Sequence, residues 1–341
     1  MGRVTLLRPS DDPPAAVAQL SGWLGDDAPP PLVIETSGSS GRPKRVVLPR
    51  EAVLASVAAS AARLGATGRW LLALPSSYVA GVQVVVRSLV AGHDPVLVPD
   101  LDVAAAVRAA GQGPLFTSLV PTQLHRLLAE DDQAAALAGL HTVLVGGGGL
   151  DRDLRRRAEE RGVHVVTTYG SSETAGGCVY DGVPLDGVGV VLDATGRIRL
   201  GGPTIFAGYD GDPDLTAQAL VDGWFVTSDT GRLDPDGRLQ VTGRVDDVAV
   251  SGGVKVPLPA VAERLRQHPG VVDAEVLAVP DEEWGHRVVA VVVGDADEAG
   301  LRDWVGEVHP RSWAPRTVVR VDALPLLSNG KVDRQAIRAA L

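Results

Sequence analysis

The chain is poor in several residue types, and each scarcity narrows what the protein can be. Among its 341 residues there is one cysteine, Cys178, which rules out an internal disulfide, and the seven histidines show no metal-ligand spacing with it or with each other. Disulfide scaffolds and structural zinc modules are therefore excluded. No run approaches the roughly 18 uninterrupted apolar residues of a membrane span. The N-terminus, Met-Gly-Arg-Val followed by Asp11, Asp12, Pro13 and Pro14, lacks the apolar stretch of a signal peptide. A cytoplasmic protein with no membrane span is expected. Cations are in deficit: 32 Lys and Arg face 42 Asp and Glu, for a net charge of −10, which leaves no basic footprint for nucleic acid or anionic lipid. Lysine is the scarcest cation, with only Lys44, Lys255 and Lys331 among those 32. A high-GC coding bias accounts for the scarcity but not for where the survivors sit, each in a Gly-bearing loop sequence.

What is present can build a substantial core. The 45% apolar and 22% charged residues are ordinary for a globular protein, and about 150 residues per domain suggests two or three packed units. An amphipathic stretch runs from Ala15 to Leu24. Leu32 to Ile34 reads as a buried strand, 46–48 as its return strand, and Glu51 to Leu64 as a helix. Strand and helix then alternate through 70–74, 84–90, 95–98, 103–110, 115–119, 123–129, 143–145, 154–161 and 163–167, the pattern of an α/β layer with largely parallel pairing. Beyond Tyr169 glycine and proline become frequent and helical spacing nearly vanishes until about residue 257. A small β subdomain fits that texture, with hairpins at 190–200 and 231–241. A helix at 257–268, strands at 274–279 and 288–293, a helix at 298–308 and a strand at 317–321 then form a compact α+β unit. The boundary is placed at Arg244, giving domains 1–243 and 244–341.

Five segments carry chemistry. Thr36-Ser37-Gly38-Ser39-Ser40-Gly41-Arg42-Pro43-Lys44 follows a buried strand. Its small residues allow backbone N–H groups to close on a phosphate while Lys44 adds charge. It does not fit the P-loop rule, because Arg42 and Pro43 separate Gly41 from the lysine and no Ser or Thr follows it. A flexible turn is the plain alternative. Thr168-Tyr169-Gly170-Ser171-Ser172-Glu173 ends a strand and offers an aromatic face, hydroxyls and a carboxylate able to hold Mg²⁺. Asp229 and Arg244 suit a ribose and a phosphate, or else a turn acid and a surface ion pair. Lys331, in Asn329-Gly330-Lys331, presents a point charge on a tight turn.

In this order the five segments resemble the adenylate-forming superfamily of acyl-CoA synthetases, adenylation domains and luciferases, over essentially the whole chain from Glu35 to Arg334. The resemblance implies a large N-terminal α/β domain with a small β subdomain, and a small, mobile C-terminal α+β domain carrying the catalytic lysine. It also implies ATP as a substrate, Mg²⁺ on Glu173, the phosphates of ATP on 36–44, the ribose on Asp229, and Lys331 at the reacting carboxylate and α-phosphate. Gly243-Arg244-Val245-Asp246-Asp247 is similar to the family's hinge region, with Asp246 at the hinge. Ser251, Gly252 and Gly253 would approach the pantetheine arm of CoA; Lys255 either touches CoA or packs on the surface.

Within the superfamily, 74–83 with Arg87, together with 118–124, resembles the 2-succinylbenzoate–CoA ligases of menaquinone synthesis. That resemblance implies a small-molecule carboxylic acid as substrate, with Tyr78 standing where the family usually has His. The chain also has only 35 residues before the phosphate loop, where most members carry a substantial further segment, so either a short form of the family or a truncated chain is expected. Arg87 follows the run 84–86, where a charge is costly unless paired, so it either binds a substrate carboxylate or neutralises an acid within the fold. Gly147 and Gly148, after the strand at 143–145, are expected to line the pocket where adenine and acyl group meet. Other aryl or alkyl acid–CoA ligases, a free-standing adenylation domain that loads a carrier protein, and a non-catalytic nucleotide-binding relative are the alternatives. The oligomeric state is left open, a dimer included.

Overall fold

The computed structural model describes residues 5–36, 43–327 and 332–341, with the backbone alone at Asp246. Its central element is a seven-stranded sheet in the order Val96–Leu97, Arg69–Leu72, Leu115–Leu119, Thr142–Val145, Val165–Ser171, Gly176–Tyr180, Val183–Pro184. The first five strands are parallel and the last two antiparallel. Parallel strands need crossovers and are buried on both faces, which is why they read as short, nearly unbroken apolar runs.

Alternate side chains enter two different cores. Trp70, Leu72, Phe116 and Leu144 pack with the helices Pro13–Gly25, Arg50–Leu64 and Val79–Val90. Leu71, Leu115, Leu119, Val143 and Val145 pack with Val103–Ala110, Pro121–Leu127, Asp131–Ala138 and Arg152–Glu160. At one margin of the sheet, Arg63 donates through Nη1 and Nη2 to the carbonyls of Val183 and Pro184, at 3.1 and 2.6 Å.

Two antiparallel sheets flank this layer. Leu32–Thr36 pairs with Lys44–Leu48, which pairs on its other side with Gly208–Tyr209. A five-stranded sheet contains Gly189–Leu192, Arg197–Gly201, Trp224–Leu233 and Leu220–Val221, with Leu239–Arg244 paired to Trp224–Leu233. Both expected hairpins are present. The helices Asp131–Ala138, Pro213–Ala219 and Arg334–Ala340 were not expected from apolar spacing. The first has acidic residues Asp131 and Asp132 in its first turn but no side-chain cap, whereas the second has Asp212 as N-cap and Pro213 in its first turn.

The C-terminal part forms its own five-stranded sheet, Val254–Pro257, Val248–Ser251, Gly285–Gly294 and Val271–Asp281, with Thr317–Arg320 parallel to Gly285–Gly294. Its core residues run from Ala249 onward and are shared with neither N-terminal core, whose last member is Leu239. Among the described residues no helix is long and apolar enough to cross a membrane.

Candidate active site

The strand Val165–Ser171 outruns its neighbour Thr142–Val145 and turns at 172–174 into Gly176–Tyr180. This placement requires glycine twice. A Cβ on Gly146 would collide with the Thr168 hydroxyl, and one on Gly170 with the Gly176 carbonyl. The turn closes on Ala175, a non-glycine residue at φ 50°, whose carbonyl accepts from Gln83 Nε2 at 2.8 Å. Thr174 Oγ1 donates to the Gly176 carbonyl at 2.7 Å, and Ser171 Oγ is buried without a partner among the described residues. The chain thus spends strained backbone and buried hydrogen bonds on holding 168–173 in place.

Three sequence-predicted residues converge at one end of this segment. The Tyr169 hydroxyl donates to Asp229 Oδ2 at 2.8 Å, and Asp229 Oδ1 lies 4.0 Å from Arg244 Nε. Asp229 and Arg244 face each other across paired strands. Burial first, and then the Asp229 carboxylate, push the Tyr169 phenol above its ordinary range, so it stays a donor. At the other end stands Glu173, only 9% exposed. Its Oε1 accepts from the Tyr209 hydroxyl at 2.8 Å, and its backbone carbonyl accepts from the Phe206 N–H at 2.9 Å. Lys44 Nζ lies 5.4 Å from the centroid of the Tyr209 ring. Two contact groups, Arg244–Asp229–Tyr169 and Glu173–Tyr209–Lys44, are therefore joined by the backbone segment 169–173.

Tyr209 is the residue that sequence reasoning missed. The dipeptide Gly208-Tyr209 has no periodic or loop signature, and its position depends on pairing with a strand more than 160 residues earlier in the chain. Thr36 and Lys44 are paired across the two strands that flank the phosphate loop. Ser37, Gly38, Ser39, Ser40 and Gly41 lie outside the described residues, as does Lys331.

Among the described residues no cluster of three metal-binding side chains occurs. A lone carboxylate whose one side-chain hydrogen bond among those residues engages Oε1 still fits Mg²⁺, because that ion is commonly held by one or two carboxylates together with substrate phosphates and water. Glu173 is the residue that would hold it.

Tyr78 caps the helix Val79–Val90, half-buried at the end of that helix from which Val79 and Gln83 reach Gly176. Arg87 does not join this group. It lies about 14 Å further along the same helix, at 1.5 Å per residue. Its side chain is 7% exposed, with the guanidinium 5.0 Å over Trp70 and Nη2 3.3 Å from the Tyr180 hydroxyl. Among the described residues the charge is met by an aromatic face and a phenol inside the helix–sheet layer, and Arg87 Nε is buried there without a hydrogen-bond partner. Gly147, at φ 78°, and Gly148 are exposed after their strand; it is Gly146, beside Thr168, that a side chain would block.

Ser251, Gly252 and Gly253 belong to the C-terminal sheet. Ser251 and Val254 pair, so Gly252 and Gly253, at φ 56° and 79°, form a two-residue hairpin turn of the kind that needs both residues left-handed. A Cβ on Gly252 would stand 2.7 Å from the Trp284 ring, whereas one on Gly253 meets nothing within 4 Å. Asp246 lies in the short 3₁₀ turn Val245–Asp247 that follows Arg244.

Comparison with known proteins accords with this geometry. Residues 29–209 match the family described as AMP-binding enzyme, and residues 260–331 match the AMP-binding enzyme C-terminal domain. A probable 2-succinylbenzoate–CoA ligase of Mycobacterium tuberculosis is 43% identical over 90% of this chain and 83% of its own length. A 2-succinylbenzoate–CoA ligase of Listeria monocytogenes is 31% identical over 90% of this chain and 69% of its own. Among solved structures, o-succinylbenzoate CoA synthetase (MenE) from Bacillus subtilis with its acyl-adenylate intermediate superposes with a TM-score of 0.79 at 26% identity, covering 90% of this chain and 68% of that one. ATP-bound MatB from Rhodopseudomonas palustris gives 0.81 at 25%, covering 91% and 67%.

Proposed function

We propose, from the chain's membership of the AMP-binding enzyme family, that it is an ATP-dependent acid–CoA ligase acting on 2-succinylbenzoate. The observation that carries this is the pair of contact groups Arg244–Asp229–Tyr169 and Glu173–Tyr209–Lys44 at the two ends of the segment 169–173. These groups supply a diol acceptor and an aromatic face near one end of the segment, and a metal-binding carboxylate and a cation near the other, the functions that the ribose and base, and the phosphates, of a nucleotide require.

A carboxylate is a poor acyl donor because its leaving group is an oxide. In the first half-reaction a carboxylate oxygen attacks the α-phosphorus of ATP, the bond to the bridging oxygen breaks, and pyrophosphate leaves with that electron pair. The product is an acyl-adenylate. In the second, the CoA thiolate attacks the acyl carbon and AMP departs on its phosphate oxygen. Asp229 accepts from the ribose, Tyr169 stacks on the base, and Lys44 with the loop from Thr36 neutralises the outgoing phosphates. Ser171 and Ser172 line the same segment. Mg²⁺, when held by Glu173, supplies charge neutralisation on the phosphate oxygens. Lys331 reaches the reacting carboxylate and α-phosphate, where positioning and charge are the catalytic contribution.

Tyr78 and the glycine turn from Gly146 through Gly147 and Gly148 border the acyl site. The chain divides at 243/244 into a nucleotide- and acyl-binding domain and a lid, with Asp246 at the hinge and Ser251–Gly253 passing the CoA arm. A cytoplasmic location is compatible with ATP and CoA as co-substrates.

The test is pyrophosphate release from Mg-ATP with 2-succinylbenzoate, with and without CoA, beside benzoate and a medium-chain fatty acid. Release with 2-succinylbenzoate alone, followed by a CoA-dependent thioester, is expected. Release only with another acid discards the substrate, and silence with every acid discards the ligase.

A further inference from the structure

Tyr209 touches both ends of the phosphate-binding apparatus and is itself immobilised. It is 7% exposed, its N–H donates to Thr216 Oγ1 at 2.8 Å, and its ring meets Phe206 edge-on with centroids 4.9 Å apart. Gly208 permits this, since a Cβ there would stand 2.7 Å from the Thr216 methyl. The ring therefore does not swing. Its hydroxyl donates to Glu173 Oε1 at 2.8 Å, and Lys44 Nζ lies 5.4 Å from its centroid. The strand pairing Tyr209 with Val46 fixes it to the same strand that Lys44 begins.

We propose that Tyr209 is the positioning residue that couples the cation-binding carboxylate to the phosphate loop, with its hydroxyl setting Glu173 and its ring face setting Lys44. The proposal rests on the assignment of Glu173 as the Mg²⁺ ligand. A buried carboxylate that binds a cation through one oxygen must be prevented from rotating and must have its other oxygen satisfied; a rigid phenol does both. A lysine restrained over an aromatic face is held without an acidic partner among the described residues that would compete with phosphate. One side chain then holds an anion and a cation apart in fixed relation.

The two contacts are separable. Tyr209→Phe removes the hydroxyl and keeps the ring, whereas Tyr209→Leu removes both. Binding of Mn²⁺ is read from the free-ion EPR signal in the presence of a non-hydrolysable ATP analogue, and binding of that analogue is read by calorimetry in EDTA. Tyr209→Phe should weaken Mn²⁺ binding about ten-fold, the usual cost of removing a group that orients a metal ligand, with no change in metal-free analogue binding. Tyr209→Leu should add a loss of roughly three-fold in analogue binding, the scale of an exposed cation–π contact. Glu173→Gln is the control. If it abolishes the Mn²⁺ site while Tyr209→Phe binds Mn²⁺ as the parent does, coupling through the hydroxyl is overturned. If Glu173→Gln itself retains parent Mn²⁺ affinity, the metal assignment fails and the proposal with it. Loss of analogue binding in Tyr209→Phe equal to that in Tyr209→Leu overturns the division of labour between hydroxyl and ring.

Discussion

The nucleotide side of the molecule and the C-terminal sheet assign their conspicuous residues to different tasks. Around 168–173 glycines, a left-handed alanine and buried hydroxyls all act to place side chains that touch one another across three sheets. In the C-terminal sheet the glycines at 252 and 253 satisfy a hairpin turn, and the nearby Val248, Val250 and Val254 are left exposed. The Arg334 guanidinium there bridges Asp247 and the buried Glu275, at 2.6 and 2.9 Å, tying the final helix to the turn after Arg244. One region is organised around its functional groups before any ligand arrives; the other is organised around its own fold and offers its surface.

The contrast is most severely tested at Lys331. Attraction between unit charges 4 Å apart is about 4 kcal/mol at an effective dielectric of 20, so Lys331→Ala should cost on the order of 10³-fold in acyl-adenylate formation. Thiolysis of preformed acyl-adenylate should continue. Unimpaired adenylation would remove the lysine from the first half-reaction and with it the need for the C-terminal part in that step.

A smaller effect separates turn from ligand contact. Asn tolerates the left-handed region, and nothing crowds position 253, so Gly253→Asn should fold as the parent does while raising KM for CoA on the order of ten-fold, equivalent to about 1.4 kcal/mol. Pyrophosphate release should be untouched. An unchanged KM for CoA would leave the glycine pair with the turn as its only role.

The smallest effect concerns the preorganised side. Burial first, and then the Glu173 carboxylate, raise the Tyr209 phenol above its unfolded value of about 10. A raised acid contributes stability that is complete below the unfolded value and is lost as pH climbs toward the folded one. Denaturant unfolding between pH 9 and 11 should therefore show a steeper alkaline loss for the parent than for Tyr209→Phe, by at most about 1.4 kcal/mol per pH unit. Parallel slopes would mean the phenol is no more shielded than in the unfolded chain.

Much of the architecture was legible because parallel strands and their helices write strong local patterns. The runs at 70–72, 115–119 and 143–145 announced themselves by being apolar on both faces, and the hairpins by their Asp/Gly turns. Residues 168–173, Asp229 and Arg244 were legible because each belongs to a short motif, although Asp229 lies in mid-strand. Tyr209 was not, since its meaning comes from two strands far apart in sequence. Arg87 was legible as a buried charge, but the Trp70 ring and the Tyr180 phenol that meet it lie elsewhere in the sequence. Gly252 and Gly253 were read as room for a ligand although a tight turn already requires them.

The margins of the central sheet bear on how the protein behaves at high concentration. Both terminal strands, Val96–Leu97 and Val183–Pro184, are only two residues long, and a proline cannot donate to an incoming strand. Arg63 already occupies the carbonyls of Val183 and Pro184. At that margin another chain finds neither a donor at Pro184 nor a vacant acceptor. That margin is thereby protected against strand addition and the opposite one is only two residues long, so crowding of this protein should not readily convert its most apolar layer into a template for aggregation.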